Sequence, residues 1–334
     1  MKILVDAMGG DNAPDEIIKG ALLAASEVDA TIVLLGDEAI IKNKLGKGKI
    51  PENIEIKHTS EVITAEDIPT KAIKTKKDSS MVVGFTMIKE KEGDAFISAG
   101  NTGALLTGAL LVTGRIKGIS RPTLCPTLPS QNGPFVIVDA GANADCKPEY
   151  LVQFAKMGSI YSEKTLGIKN PRVGLINIGS ENEKGNELTK EVHELLLQET
   201  GINFIGNVEG RDLMLGNVDV VVCDGFTGNV ILKTLEGCGK ALINIFKAEF
   251  SKGILGKIGA VLMIPGLLFL LPALKRIKKK IDYTEYGGAL FLGIDGGIIK
   301  CHGSSKAKEV RHAIKQAYEF VKNQTVESIK EAIK

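Results

Sequence analysis

A doubly wound α/β fold is predicted: a Rossmann-like, mostly parallel sheet with helices on both faces. Three observations predict it. Short β-branched runs bounded by Gly or Asp alternate with longer helical stretches. The runs are almost continuously apolar, which suits strands covered on both faces. Five strand ends open into loops rich in Gly, Asn, Asp and Thr, and ligands of open α/β sheets bind at that edge.

In order, "KILV" (2–5), "TIVLLG" (31–36), "AFISAG" (95–100), "FVIVDAG" (135–141), "RVGLINIG" (172–179) and "VDVVVCDG" (218–225) read as buried strands. Helical stretches fall between them at 14–28, 79–92, 102–116, 148–161, 183–200 and 228–250. No internal repeat is evident. The whole chain, 1–334, is expected to form a single α/β domain, with 252–283 protruding as an apolar and basic helical hairpin.

Within that hairpin, nothing from Ile258 to Leu274 is charged, and Lys275, Arg276, Lys278, Lys279 and Lys280 follow. A helix over that apolar stretch would reach about 25 Å, short of a bilayer core. Pro265-Gly266 and Pro272 also break it. Three readings compete: a dimer interface or buried core, a tip that dips into a membrane surface and docks on anionic lipid, and a true span.

Composition narrows the function classes. Of 334 residues, 44% are hydrophobic and 25% charged, enough for a sizeable core. A formal net charge of +2 gives no global field for nucleic acid. The five cysteines are odd in number and none is spaced C-x-x-C, which argues against a disulfide framework or zinc site and for a reducing compartment. "MKILVDAMGG" is too short in its apolar part for a signal peptide, so a cytoplasmic location is expected.

The loops carry the chemistry. "DAMGGD", "SAGNTGA", "VDAGANAD", "NIGSENEKGN" and "CDGFTGN" each follow a strand and precede a helix, and are expected to crowd round one crevice. Singly, such residues are also ordinary caps and turns. "CHGSSKAKEV" (301–310) offers Ser304 or Ser305 as an N-cap and Lys306 in the first turn. A helix N-terminus beside a cation suits phosphate or sulfate; the plainer alternative is a cap followed by a surface lysine. Asn101 and Thr102 cap another helix, and Gly103 leaves its backbone N–H groups unobstructed. Lys184 sits among Glu181, Glu183 and Glu187, so a solvated ion-paired face is its alternative. Asp224 follows a buried strand and Asn229 opens a long helix. Cys223 and Cys301 read as small core residues, and His58, His193 and His312 as surface residues.

"ILVDAMGGDNAP", "SAGNTGA", "VDAGANAD", "KGNE", "VCDGFTGNV", "EYGGALFLGI" and "HGSSKA" occur in this order from residue 3 to about residue 315. As an ordered set they resemble the phosphate acyltransferase family of bacterial phospholipid synthesis. One departure is Gly179-Ser180-Glu181, where the family is expected to read Gly-Glu-Glu. The resemblance implies a homodimer with a fold similar to phosphotransacetylases and isocitrate-dehydrogenase-type enzymes. It implies that an acyl group passes from acyl carrier protein to inorganic phosphate, and that the acyl phosphate feeds a glycerol-3-phosphate acyltransferase at the membrane. No cofactor or metal is implied.

Such a reaction needs little beyond donors and positive charge. Phosphate is itself the nucleophile and a thiolate leaves readily, so the site must hold the anion in line and stabilise a tetrahedral oxyanion. Under this reading Ser304, Ser305 and Lys306 cradle phosphate, and Asn101, Thr102 and Gly103 hold phosphate or the carbonyl oxygen. Lys184 and Asn229 stabilise the oxyanion or orient phosphate. His302 either takes a proton from phosphate or donates a hydrogen bond to it, and Asp224 orients Lys184 or His302. Lys71, Lys74, Lys76 and Lys77, or else the 275–280 cluster, would dock the acidic carrier protein.

Three alternatives stand beside this. A phosphotransacetylase using acyl-CoA would share the site. An NAD- and metal-dependent decarboxylating dehydrogenase would need an arginine clamp, for which Arg115, Arg121 and Arg211 are the candidates. A membrane scaffold would explain 258–280 alone.

Overall fold

A computed structural model describes residues 1–46, 50–250, 269–273 and 286–333. The first half of the chain supplies β1 (Lys2–Asp6), β2 (Thr31–Gly36), β3 (Ile54–His58), β4 (Ala95–Ser98) and β5 (Thr123–Cys125). Late in the chain, β11 (Ala289–Leu292) and β12 (Gly297–Lys300) join the same sheet. Its order is β3-β2-β1-β4-β12-β11-β5. The run from β3 to β12 is parallel, and β11 lies antiparallel to both its neighbours.

A second sheet takes β6 (Thr127–Ser130), β7 (Gly133–Val138), β8 (Arg172–Ile176), β9 (Asn203–Val208) and β10 (Val220–Val222), in the order β6-β7-β10-β8-β9. All its pairings are parallel except β6 with β7. The six expected strands are all present, distributed over two sheets. The strands absent from the sequence reading are short or lie at edges. β3 is one such edge, and its burial is broken by solvated residues.

Both sheets feed one core. A single cluster of buried side chains holds Ile3 from β1, Val136 and Val138 from β7 and Val173 from β8. Phe154 and Tyr161 of α6 (Pro148–Lys164) belong to it as well. Each such side chain contributes about 1.5–3 kcal/mol on burial. Tyr161 is fully buried, and its hydroxyl accepts a bond from Gln316 Nε2 at 2.9 Å.

The helices cover these sheets: α1 (Asp15–Ala25), α2 (Glu38–Leu45), α3 (Pro69–Thr75), α4 (Ser80–Lys89), α5 (Thr102–Gly108), α7 (Glu187–Gln198), α8 (Gly225–Phe250), α9 (Ala307–Lys322) and α10 (Thr325–Ala332). The helix expected over 102–116 is α5 followed by a π-helical turn at Ala109–Thr113.

α8 is unlike the others. Its first turns pack Ile231, Leu232 and Leu235 against the second sheet. Further on, Leu242, Ile243, Ile245 and Phe246 are more than half exposed. Of the expected hairpin 252–283, residues 269–273 alone are described, and there Phe269, Leu270 and Leu271 are exposed. Among the described residues no helix is long and apolar enough to cross a membrane.

Candidate active site

Parallel strands put their following loops on one edge, so β1, β4 and β12 deliver three loops side by side. Asp6, the last residue of β1, organises them. It is buried, and its carboxylate accepts from Ser80 Oγ (2.6 Å), Ser98 Oγ (2.7 Å) and the Met8 N–H (3.1 Å). Burial pushes its pKa up, and these bonds pull against the rise. The β1 and β12 loops are joined directly. Asp11 N–H donates to Gly303 O at 2.8 Å, and Asn12 Nδ2 to the carbonyls of Ser304 and Ser305 at 3.0 and 3.2 Å.

The β12 loop turns tightly on itself. His302 Nδ1 accepts the Ser304 N–H at 3.2 Å and lies 2.8 Å from Ser304 Oγ. An Nδ1 that accepts a backbone N–H leaves the ring proton on Nε2, and Nε2 has no partner among the described residues. His302 is therefore built as a donor facing outward. Partial desolvation lowers its pKa, and Lys233, Lys300 and Lys240 lower it further against an opposing effect of Glu236.

Ser305 and Lys306 play another part. Ser305 is buried and its N–H donates to His302 O at 2.9 Å, so it belongs to the frame. Lys306 N–H donates to Glu309 Oε2 (3.1 Å), and Ala307 N–H to Glu16 Oε2 (2.9 Å). The N-cap expected at Ser304 or Ser305 falls instead to Lys306, and the N–H groups that open α9, expected to be free for an anion, are met by two carboxylates. The Ala307 bond, followed by Lys19, holds Glu16 below its usual range.

In the β4 loop, Asn101 uses both ends of its side chain. Oδ1 caps α5 by accepting from Ala104 N–H (3.0 Å), and Nδ2 reaches the carbonyls of Thr64, Ala65 and Asp67 at 3.2–3.3 Å. Thr102 and Gly103 beside it are exposed. α3, with exposed Lys71 and Lys74, borders this loop: a Cβ on Gly103 would come within 2.7 Å of Pro69 Cγ. Lys76 is tied to Asp67 Oδ2 (2.6 Å) and Val62 O (2.8 Å), and Lys77 to Ile73 O (3.2 Å).

The second sheet repeats the scheme around Asp139, which follows β7 and is fully buried. Its carboxylate accepts from Leu124 N–H (2.8 Å), Ala142 N–H (3.1 Å), Asn143 N–H (2.6 Å), Asn143 Nδ2 (2.9 Å) and Thr123 Oγ1 (3.3 Å). α8 starts hard against this loop. A Cβ at Gly228 would sit 1.9 Å from Asp139 O, so only glycine permits the approach. Asp224 caps α8, accepting from Thr227 N–H (2.9 Å) and Thr227 Oγ1 (2.7 Å). Its bonds go to neither Lys184 nor His302. Asn229 is exposed, borders Gly141, and its amide has no partner among the described residues.

Lys184 stands on the loop after β8. Its backbone is held on both sides: its N–H donates to Glu181 O (3.2 Å), and its carbonyl accepts from Asn177 Nδ2 (3.0 Å). Gly185 has φ +103, and a Cβ there would lie 2.1 Å from Thr189 Oγ1, so the turn requires glycine. The Lys184 side chain is exposed and in no ion pair among the described residues, in contrast to the salt-bridged face the flanking glutamates suggested. His193, read as a surface residue, is 3% exposed, because it turns inward from α7 against Phe204.

α8 joins the two groups of loops. Asn229, Lys233, Glu236 and Lys240 are spaced i, i+4, i+7 and i+11, one stripe of the helix. The charges of the last three act on His302, and the start of α8 borders the Asp139 loop through Gly228 and Asn229. Asn229 lies about 6 Å along the axis from Lys233.

Sequence reasoning missed Lys300, the last residue of β12, because it ends an apolar run like any strand-closing polar residue. Its Nζ bonds to the Cys301 carbonyl and is in no ion pair among the described residues. Burial lowers its pKa; Cys301 and Asp11 oppose the shift and Lys233 adds to it. What marks Lys300 is an ammonium half-buried near Lys233, a combination that the structure shows and the sequence does not. The four cysteines nearest these loops and the core are unsuited to nucleophilic work. Burial pushes Cys146 and Cys301 up to about 12, and Cys125 and Cys223 well above the ordinary thiol range.

Comparison with known proteins follows the same lines. The family model described as "Fatty acid synthesis protein" matches residues 1–328. The protein named phosphate acyltransferase from Alkaliphilus oremlandii is 54% identical over 334 residues, covering 100% of this chain and 97% of its own length. Among solved structures, a phosphotransacetylase from Streptococcus pyogenes superposes with a TM-score of 0.64 at 14% identity, covering 98% of this chain and 94% of that one. A branched-chain phosphotransacylase from Enterococcus faecalis does so with a TM-score of 0.60 at 14% identity, covering 96% and 99%. These two likenesses concern the fold. With a family model spanning nearly its whole length and a relative more than half identical from end to end, the chain belongs to the fatty acid synthesis protein family, among the phosphate acyltransferases.

Proposed function

We propose that this enzyme transfers a fatty acyl group from an acyl carrier protein thioester to inorganic phosphate, and that the acyl phosphate formed serves phospholipid synthesis. The observation that carries the reading is the β12 turn, which leaves His302 Nε2 as an outward donor among the charges of Lys233 and Lys300, while burial holds the Cys125, Cys146, Cys223 and Cys301 thiols away from the thiolate form.

Phosphate occupies the space before His302 Nε2 and Ser304, its charge balanced by Lys300 and Lys233. One phosphate oxygen attacks the thioester carbonyl carbon. The tetrahedral oxyanion is held by the Lys184 ammonium and the Asn229 amide, both exposed and without protein partners among the described residues. The carbon–sulfur bond then breaks, and the carrier thiolate takes its proton from solvent. Thr102 and Gly103 face the acyl donor. Asn101, Ser305, Lys306 and Asp224 act as the frame.

The acidic carrier protein docks on Lys71 and Lys74, which border the β4 loop and stay exposed. The outer half of α8 exposes Leu242, Ile243, Ile245 and Phe246, and Phe269 is 88% exposed. Apolar faces of this extent favour a partner surface, so the enzyme works as a homodimer whose 258–280 segment rests on the membrane. There the product passes to a glycerol-3-phosphate acyltransferase.

The deciding assay is phosphate-dependent thiol release from long-chain acyl carrier protein and, separately, from acetyl-CoA. Preference for the carrier protein is expected; preference for acetyl-CoA would replace this reading with a phosphotransacetylase.

A further inference from the structure

A buried relay runs behind the Lys184 turn. His193 of α7 is 3% exposed and Asn207 of β9 is 7% exposed. His193 Nδ1 lies 3.1 Å from Asn207 Oδ1, and Asn207 Nδ2 donates to Glu181 O at 2.7 Å. That carbonyl is the one that accepts the N–H of Lys184. Since Nδ2 is the donor toward Glu181, Oδ1 is the acceptor toward His193, and the ring proton sits on Nδ1. His193 Nε2 is then left buried without a partner, a cost the fold carries at this position.

Both side chains are buried and so stand behind the loop, away from solvent. A buried pair on two elements, His193 behind Asn207, ends on one carbonyl of a surface turn, and that turn carries a cation with no ion pair among the described residues. A surface loop needing only solubility has no use for such bracing. We propose that Asn207, braced by His193, is a positioning residue that fixes the Lys184 ammonium at the oxyanion. This rests on the reading above that Lys184 serves the transfer.

Asn207→Asp tests it. The aspartate keeps the volume and the acceptor for His193, but replaces the donor to Glu181 O with an oxygen that repels it. A displaced Lys184 should lower kcat on the order of tenfold or more, with KM for the acyl thioester little changed; the buried pair of oxygens also lowers the thermal unfolding midpoint, so the assay is run well below it. In the Lys184→Ala background, Asn207→Asp should cause no further loss. His193→Gln, which retains an N–H for Asn207 Oδ1, should recover most of the activity lost in His193→Leu.

Unchanged kcat in Asn207→Asp, or an equal further loss in the Lys184→Ala background, would overturn the proposal. If Asn207→Asp does not fold, the same cycle with His193→Leu decides by the same two outcomes. Should Lys184→Ala itself turn over like the wild type, the assignment of Lys184 fails first and the positioning role with it.

Discussion

The two strand-end frames are built alike and presented differently. In each, a V-D-A run leaves a central strand and buries its aspartate: Asp6 in the first sheet, Asp139 in the second. Asp6 gathers two serine hydroxyls and one N–H. Asp139 gathers three N–H groups, an amide and a threonine hydroxyl. Around Asp6 the polar groups are mostly engaged with one another, Ser304 with His302 Nδ1 among them, and what remains to meet an anion is His302 Nε2 and half-buried Lys300. Around Asp139 the exposed Lys184 and Asn229 side chains are themselves without partners among the described residues. A fixed cradle suits the small anion that must wait in place. Free-standing donors suit the charge that exists only at the transition state.

Breaking the frames should have the largest effect. Asp139→Ala orphans more donors than Asp6→Ala, and each buried orphan costs about 1–3 kcal/mol. Urea unfolding should show a loss of about 4 kcal/mol or more for Asp139→Ala and a smaller one for Asp6→Ala. Equal losses would mean that the frames are not distinguished by their donors.

Next come the side chains the frames present. Lys184→Ala should lower kcat by a factor on the order of 100 while leaving stability alone, because the side chain is exposed. Lys300→Gln should act on the waiting anion, raising KM for phosphate on the order of tenfold with less effect on kcat. Were the two variants to show the same pattern, the division between cradle and transition-state donors would collapse.

The pH profile sharpens the same division. His302 is held below its ordinary range by desolvation and by Lys233, so it stays neutral at pH 7 with Nδ1 accepting from Ser304. Protonation would set Nδ1–H against the Ser304 N–H and open the turn. Activity should therefore fall only as pH drops below the usual histidine range near about 6.5, and that acid limb should shift in His302→Gln. The smallest effect is expected outside both frames. Lys71→Glu with Lys74→Glu should raise KM for the carrier protein a few fold at low salt, and the difference should vanish near about 1 M salt, where screening reaches about 3 Å.

Much of this was legible in the sequence. Continuous apolar runs fixed the six central strands, because burial on both faces leaves no other pattern. Edge strands β3 and β9 and the return strands β11 and β12 were not legible, since pairing partners far along the chain decide them. The residues at 101, 184, 229, 302 and 304 stood out by their place after strands. Their division of labour did not. A cap such as Asn101 and an open donor such as Asn229 are the same residue type, and only the bonds to Ala104, Thr64, Ala65 and Asp67 tell them apart. Lys300 and Asn207 were invisible because each lies in one of those unread strands, β12 and β9, and only burial reveals that it is committed to something.

The most direct test of the two-frame account is a crystal structure of the enzyme with inorganic phosphate bound. The account predicts the anion between His302 Nε2, Ser304 and the Asn229–Lys233 stripe of α8, with Lys300 Nζ turned toward it. Phosphate found instead at another loop edge, with that space left to solvent, would contradict it.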